Sequence, residues 1–417
     1  MKNRLFAGTI IAASLTGLAA SAAMAAGVEV TVFNSKMEIQ SQLEEMAEEY
    51  SASHDVDLKV YYSSDTVAAH MSTRYASNSP YTISMVDAKD IYSLAPDHGL
   101  DLSDQDWVND TTQAIEIDGA VYGFPVCVEA RGLIYNKTAI EDTLGEEFNP
   151  EDYKTYDAFA ELLAKLAENG MEKPVGILKE DWSLAAHYLC SVYEERDDVD
   201  AFVDSLYAGE VDLMEDERFN SRMDTFDLLM QYNYADDAPV AAVREDTELF
   251  LAEGEIAFMY GGNWDWSVLN EYEPEGEMGQ MAVPQNDEPY NDMMIGGGSK
   301  YFFIDNSDNT SEEQRQAAKD FLNWLVYEQE GQEFLVNTCA LVPAYSNIDL
   351  EVSDPLGACV KAYADSDRLL PSFNYAPDDH YAKVGAFMQE YLAGDIDRAA
   401  FAADIQDYWA STTPVEH

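Results

Sequence analysis

The sequence predicts an α/β fold with two domains, each built on a mainly parallel sheet flanked by helices. Strand-like apolar runs alternate with amphipathic helical segments, which is the pattern of a parallel sheet covered by helices. The chain has 417 residues, and chains beyond roughly 250–300 residues usually divide into domains. Because no Pro- or Ser-rich linker divides the sequence, we expect the chain to cross between the two domains more than once.

The first part of the chain begins with strand and helix signals in alternation. Residues 28–33 alternate apolar and polar side chains, which predicts a half-buried strand. Ser35 and Glu38 have the spacing of a capping box, which predicts that a helix begins there. The next predicted elements are a strand, a helix and a strand at residues 58–62, 67–75 and 83–86.

The second part of the chain has clear helix start signals. Thr155 is the predicted N-cap of a helix that ends at Gly170. Ser311 and Gln314 predict a capping box at the start of a long helix. The remaining predicted elements are strands at 256–260, 293–298 and 301–304 and helices at 184–194, 198–208, 217–232, 380–393 and 399–409.

Residues 1–25 are predicted to be a secretory signal peptide. Lys2 and Arg4 supply a positive start, residues 5–20 are apolar, and Ala23-Met24-Ala25 is a typical cleavage site. We therefore expect an exported protein, located in the periplasm or at the extracellular cell surface.

The charge balance of the chain excludes a nucleic-acid partner. The chain has 80 acidic and 23 basic residues and a formal net charge of −57. Nucleic-acid binding needs clustered Lys and Arg for phosphate contacts, so no nucleic-acid partner is expected.

The sequence also has no H-E-x-x-H, G-x-S-x-G or P-loop motif, and we predict no metal site, no cofactor and no catalytic residues.

The four cysteines leave two arrangements open. They are Cys127, Cys190, Cys339 and Cys359, without a C-x-x-C motif. Cys339 and Cys359 enclose a short segment and could form a disulfide, since export permits one. Four buried free thiols are the arrangement we favour, because a chain of this size does not need a disulfide bond for stability.

The strongest candidate for a binding residue is Trp264. It follows a Gly-Gly pair that lets the backbone turn closely, and it lies between Asn263 and Asp265. Sugars offer flat C–H faces that stack on aromatic rings, and their hydroxyls need polar planar partners. This segment offers both kinds of contact at the end of a predicted strand. The alternative is that Trp264 fills the core. Trp182 follows Asp181 in a second pair of this kind and is also a candidate binding residue, with the same alternative.

Residues 118–136 have the pattern of a crossing between two domains. Two apolar runs are separated by Glu129 and Arg131, and charged residues inside an apolar run are costly unless they are paired or used. They could bind a ligand in a cleft, or they could form a mutual salt bridge across a hinge. The glycine run at 296–298 is a candidate for a second crossing.

Several phrases occur in an order that resembles family 1 extracellular solute-binding proteins of the maltose-binding type, the soluble receptors of ABC importers. They are YGFPVCVEARGLIYNK, TYDAFAELLAKL, KEDW, AEGEIAFMYGGNWD, MMIGGGSKYFFI, AAKDFLNWLVYEQEGQEFL and ALVPAYSN. The resemblance implies a two-lobed periplasmic-binding-protein fold with several interdomain crossovers. Its expected lobes are 26–129 plus 292–335 and 130–291 plus 336–417, with a ligand cleft between them.

The resemblance also implies a function and a set of ligand contacts. The expected protein is a monomeric, non-enzymatic receptor that captures a sugar or oligosaccharide and delivers it to permease subunits in the membrane. A polyamine or other small-solute receptor and a secreted glycoside hydrolase are the alternatives. The implied ligand contacts are Ser35, Glu38, Asp87, Glu129, Arg131, Trp182, Asn263, Trp264, Asp265, Gly297, Ser299 and Tyr345.

Overall fold

The computed structural model describes residues 27–63, 65–274, 276–286, 288–377 and 379–415. The predicted signal peptide lies outside these residues. The strands of the described part are β1 (Val28–Asn34), β2 (Val56–Tyr62), β3 (Ile83–Asp87), β4 (Ile115–Ile117), β5 (Ala120–Asn136), β6 (Val175–Gly176), β7 (Phe258–Gly262), β8 (Met278–Met281), β9 (Met294–Ile304) and β10 (Leu369–Leu370).

The helices are more numerous and cover the sheet. The α-helices of the described residues are α1 (Gln40–Ser53), α2 (Val67–Ala76), α3 (Ala88–His98), α4 (Lys137–Leu144), α5 (Tyr156–Glu168), α6 (Ser191–Glu194), α7 (Val199–Tyr207), α8 (Glu217–Gln231), α9 (Arg244–Glu253), α10 (Trp266–Leu269), α11 (Glu312–Tyr327), α12 (Gln329–Glu333), α13 (Pro355–Asp365), α14 (His380–Leu392) and α15 (Arg398–Ser411). Two segments are π-helical, Trp182–Leu189 and Phe334–Thr338. No helix of the described ranges is long and apolar enough to cross a membrane.

The strands join in one mixed sheet with the order β2-β1-β3-β9-β5-β7-β6. At one end β1 is parallel to β2 and β3, and at the other β6 is parallel to β7. The long strands β5 and β9 are antiparallel to each other and to β7 and β3, respectively. The expected two-lobed α/β fold is confirmed, with its parallel pairs toward the ends and its antiparallel pairs where the chain crosses.

Strand β5 is the first crossing. Its first part, up to Arg131, pairs with β9, and its last part, from Arg131 onward, pairs with β7 and β8. Phe124 belongs to one hydrophobic core and Leu133 to another. The predicted crossing at 118–136 is therefore one continuous strand that leaves one core and enters the next.

The two cores define the two lobes. Lobe 1 is built on a core that includes Phe302 and Phe321, and lobe 2 on one that includes Phe258 and Trp409. Burying one such large side chain stabilises the fold by about 1.5–3 kcal/mol. The predicted lobe limits stay a prediction, but the packing favours one shift. Side chains between 336 and 363 join the first core, whereas we expected the second segment of lobe 2 to begin at 336.

The start of α1 differs from the prediction. Residues Met37–Ile39 form a 3-10 turn, α1 begins only at Gln40, and neither N-cap position has a side-chain cap hydrogen bond. The Glu38 carboxylate instead accepts from Lys36 Nζ at 2.8 Å, so the predicted capping box of Ser35 and Glu38 is wrong. The predicted caps of α5 and α11 are present, since Thr155 and Ser311 each accept the expected backbone N–H.

The four thiols are free in this structure. Cys127, Cys190 and Cys339 are buried, and Cys359 is half-buried. Burial raises the pKa of the Cys127 thiol to about 12, with a contribution from the nearby Glu129 carboxylate. Cys127 is therefore a protonated, unreactive thiol at neutral pH.

Candidate functional site: the cleft between the lobes

Two neighbouring cavities lie in the cleft between the lobes. The first has a volume of about 450 Å³, and the second has a volume of about 380 Å³. Glu129 and Trp264 line both. The two cavities are therefore parts of one cleft, and Trp264 stands between them.

The parallel strands bring the lobe 1 side chains to this cleft. Strand β1 ends at Asn34 and is followed by Lys36, and β3 ends at Asp87, which is the N-cap of α3. Since β1 and β3 are parallel, both strands end at the same edge of the sheet. Ligand sites of open α/β sheets lie outside such carboxyl ends. Lys300 joins them because it is directly opposite Asp87 in the antiparallel pair of β3 and β9.

The lobe 1 wall of the cleft is made of ion pairs. Lys36 Nζ lies 2.6 Å from Glu129 Oε1, and Lys300 Nζ pairs with Asp87 Oδ1. Burial alone would raise the pKa of Glu129, but the Lys36 ammonium holds it below its usual value. Burial alone would lower the pKa of Lys300, but Asp87 raises it. Glu129 and Lys300 therefore stay ionised at neutral pH.

The lobe 2 wall is aromatic. The His187 ring is 4.8 Å from the Trp264 ring and 5.3 Å from the Trp182 ring, measured between centroids. Burial and the neighbouring Arg131 and Arg244 guanidinium groups hold the pKa of His187 well below its ordinary value. The imidazole is therefore neutral, and the three rings form a continuous uncharged surface.

Local backbone geometry explains how Trp182 and His187 meet. They are five positions apart, a spacing that the 3.6 residues per turn of an α-helix would place on different faces. The segment Trp182–Leu189 is instead π-helical, and its wider turn brings residues five apart onto one face. The π-helix therefore shapes this part of the cleft wall.

The Trp264 ring occupies the space that a side chain at residue 262 would need, so glycine is required there. A Cβ atom at Gly262 would lie 2.3 Å from the Trp264 ring, so the indole lies directly against the glycine backbone. The close approach that the Gly-Gly pair predicted is present. Asn263 fixes the same turn, because its Oδ1 accepts the Ala130 N–H of the crossing strand at 3.0 Å.

Arg131 points into lobe 2 and does not pair with Glu129. Its Nη2 binds the buried Glu194 carboxylate, and its Nε donates to the His187 carbonyl oxygen at 3.1 Å. Its Nη1 donates to Ser372 Oγ at 3.3 Å. The two charged residues of the crossing are thus tied to opposite lobes, and the mutual salt bridge that we considered does not form.

The glycine run of β9 pairs with the first crossing, and its role as a second crossing stays a prediction. Gly296 and Gly297 are opposite Ala130 and Glu129 in the pairing of β9 with β5. A Cβ atom at Gly296 would lie 2.4 Å from the Glu129 carbonyl oxygen, so only glycine fits there. The first crossing and the glycine run therefore form a tight antiparallel ribbon at the base of the cleft.

Most of the residues that the sequence singled out lie at the cleft. The first cavity is lined by Asp87, Glu129, Arg131, Trp182, Trp264, Gly297 and Ser299. Glu38 and Asn263 line the second cavity.

Three predicted contacts do not line either cavity. Asp265 is 1% exposed and binds Arg244 and the Gly262 N–H inside lobe 2. Tyr345 is 3% exposed and packs against aromatic rings in the lobe 1 core. Ser35 is half-buried, and its Oγ has no hydrogen-bond partner among the described residues. Burial, which adjacency in sequence does not reveal, removes Asp265 and Tyr345 from the cleft.

The sequence analysis missed several cleft residues. Lys36 and Lys300 could have been predicted as cleft residues, because each is a rare basic residue next to a predicted strand end in a very acidic chain. His187, Phe373 and Tyr381 also line the first cavity, and nothing in their local sequence indicates it. The described residues contain no group of three or more His, Cys, Asp or Glu side chains that could hold a metal ion.

The comparisons with known proteins agree with this geometry. A sequence model of the family described as bacterial extracellular solute-binding protein matches residues 45–362. The match covers most of the chain, which therefore belongs to this family. No curated protein sequence matches the chain.

Solved structures of solute-binding proteins share the fold across almost the whole chain. RafE in complex with raffinose has 18% identity and a TM-score of 0.76, covering 92% of this chain and 99% of its own. A putative binding protein MsmE from Bacillus subtilis, in an open conformation, has 17% identity, a TM-score of 0.75 and coverage of 92% and 97%. Maltose-bound MalE3 from T. maritima has 15% identity, a TM-score of 0.69 and coverage of 92% and 99%.

Proposed function

We propose that this protein is the substrate-binding receptor of an ABC importer, and that it captures a sugar or oligosaccharide in the cleft and delivers it to membrane permease subunits. The observation that carries the proposal is the pairing of two unlike walls. Trp182, His187 and Trp264 offer flat aromatic faces, and ion pairs on the opposite side offer oriented hydrogen-bonding groups. A pyranose ring needs both, because its C–H faces are apolar and its edge carries hydroxyls.

The neighbouring structures support a carbohydrate ligand. RafE is in complex with raffinose, and MalE3 is bound to maltose. The first cavity, at about 450 Å³, falls in the usual range of small-molecule sites. The second cavity adds room on the other side of Trp264 for a longer ligand.

The charges of the first cavity favour a sugar over a polyamine. A cationic ligand needs unpaired carboxylates, yet the acidic residues that line the first cavity, Asp87 and Glu129, each pair with a lysine. A glycoside hydrolase is disfavoured for a related reason. Its general acid needs a raised pKa, whereas Lys36 holds the pKa of Glu129 down against the opposing effect of burial. Burial raises the pKa of Asp354 in the second cavity to about 7, but its carboxylate is taken up as the N-cap of α13.

The proposed capture includes closure of the two lobes. Strands β5 and β9 form a narrow ribbon at the base of the cleft, about which the lobes could hinge. Hinge closure buries a small ligand between lobes. We propose an exported monomer that closes on its sugar in the periplasm or at the cell surface. Small-angle scattering should give a smaller radius of gyration at saturation, and an unchanged radius would argue against closure.

A thermal-shift and calorimetry screen tests the function directly. The panel holds neutral mono- and oligosaccharides, with putrescine and spermidine as the cationic arm. A cognate sugar at ~100 times its dissociation constant should stabilise the protein by roughly 2.7 kcal/mol. Stabilisation by the polyamines alone would contradict the proposal, and so would slow hydrolysis of a bound glycoside detected by chromatography.

A further inference from the structure

Asp265 is buried behind the aromatic wall of the cleft. It contacts the turn that carries Trp264 directly, and it is connected to Trp182 through Arg244. Its Oδ2 accepts the Gly262 N–H at 3.0 Å, which closes the turn that carries Trp264. Its Oδ1 accepts a hydrogen bond from Arg244 Nη2. A single carboxylate therefore connects the Trp264 turn with a guanidinium group on helix α9.

Arg244 connects Asp265 to the second tryptophan, Trp182. Its guanidinium carbon lies 4.9 Å from the centre of the Trp182 ring, within the range of a cation–π contact. Its Nε also donates to Glu248 Oε1 at 2.7 Å. Glu248 and Asp265 are each 1% exposed. Two buried carboxylates thus hold the guanidinium group in one orientation against the Trp182 ring.

We propose that Asp265 and Arg244 are positioning residues that set the spacing and tilt of Trp182 relative to Trp264, and so control sugar affinity without touching the sugar. The inference rests on the proposed function for its ligand. Neither residue lines the first cavity, whereas both tryptophans do. Two aromatic rings can stack on one ligand only if their separation is fixed, and a rigid ion pair supplies such a restraint.

A double-mutant cycle tests the connection. Arg244→Met should weaken binding of the sugar found in the screen by roughly 3- to 30-fold, the range of a cation–π contact. In a Trp182→Phe background the same change should have a clearly smaller effect, because the ring it positions is no longer an indole. Arg244→Lys should recover part of the affinity. An equal loss in both backgrounds would overturn the proposal, since a general structural effect would not depend on Trp182.

The chain offers a matched control. Arg196 also lies over an aromatic ring, 3.4 Å from the centre of Phe202, and also pairs with a carboxylate, Asp216 at 2.7 Å. It does not line either cavity. Arg196→Met should lower the melting temperature but leave the sugar affinity within a factor of two. A loss as large as that of Arg244→Met would show that arginine–aromatic stacking in lobe 2 acts only through stability.

A ligand-free measurement separates this inference from the proposed function. Acrylamide quenching of Trp182, obtained as the difference between wild type and Trp182→Phe, should increase when Arg244 is replaced by Met. If no sugar binds wild type but quenching increases, the proposed function fails and the positioning holds. If quenching is unchanged, the positioning is wrong whether or not a sugar binds.

Discussion

The two walls of the cleft are built from opposite kinds of chemistry. The lobe 1 wall consists of the ion pairs of Lys36 with Glu129 and Lys300 with Asp87. The lobe 2 wall consists mainly of aromatic rings around Trp264, with Arg131 paired to Glu194 beside them. Aromatic rings supply area without fixed hydrogen-bond demands, whereas charged groups supply direction. We expect the proposed sugar ligand to gain most of its affinity from lobe 2 and its orientation from lobe 1.

The two walls also differ in how much of the fold depends on them. The Lys36 side chain is 4% exposed and its Glu129 partner 11%, so this pair is as much a part of the core as of the site. Trp264 is half-buried, and its outer face is at the cleft. A change in the buried pair should therefore appear in stability, and a change in Trp264 should appear in affinity.

The largest expected effect is on stability, for Glu129→Gln. The change leaves the buried Lys36 ammonium with Glu38 as its remaining partner. Breaking a buried pair costs about 3–5 kcal/mol, and because Glu38 remains we expect about 3 kcal/mol. Chemical denaturation at pH 7 measures it, with Glu277→Gln, in the exposed pair with Lys137, as the control.

The pH dependence gives this prediction a definite sign. The pKa of Glu129 lies below its ordinary value because the Lys36 ammonium outweighs burial. The unfolded chain therefore takes up the proton first as pH falls. The difference between wild type and Glu129→Gln should be constant above about pH 5 and should shrink as pH falls through the ordinary pKa of a glutamate and below it. A difference that already declined between pH 8 and 6 would contradict this account.

The second expected effect is on affinity, for Trp264→Ala. Removing the ring that lines both cavities should weaken sugar binding by about 1–3 kcal/mol, the scale of one large buried side chain. Trp324→Ala is the control, because Trp324 is also half-buried but packs beside Tyr50 on lobe 1, away from the cleft. An affinity within a factor of two of wild type would remove Trp264 from the site.

The sequence was sufficient for features that depend on neighbours along the chain. The crossing at 118–136, the glycine run and the turn before Trp264 are local patterns, and each lies at the cleft as β5, β9 and the end of β7. A strand broken by charges and a glycine pair before a tryptophan have few structural solutions. The same reasoning predicted the α/β fold.

Features that depend on distant partners were not predictable. Asp265 has the residue type and position of a ligand contact, but Arg244 from a separate helix takes its carboxylate. Glu129 and Arg131 are close in sequence, yet they pair with Lys36 and Glu194 in different lobes. Pairing of this kind depends on which remote segments meet in space, and a single sequence does not record that.

The smallest expected effect is that of Lys300→Met, which tests whether the lobe 1 wall contributes to affinity at all. Lys300 is 18% exposed and its Asp87 partner 40%, so water can solvate the remaining carboxylate and stability should change little. Loss of one hydrogen-bonding group toward the sugar should weaken binding by about 1 kcal/mol. Lys319→Met removes a lysine that pairs with Asp104 on the outer surface of lobe 1, and it should leave affinity unchanged. If calorimetry gives the same affinity for Lys300→Met as for this control, the ion pair only shapes the wall. The aromatic side then accounts for both affinity and orientation, and the division of labour between the two walls does not hold.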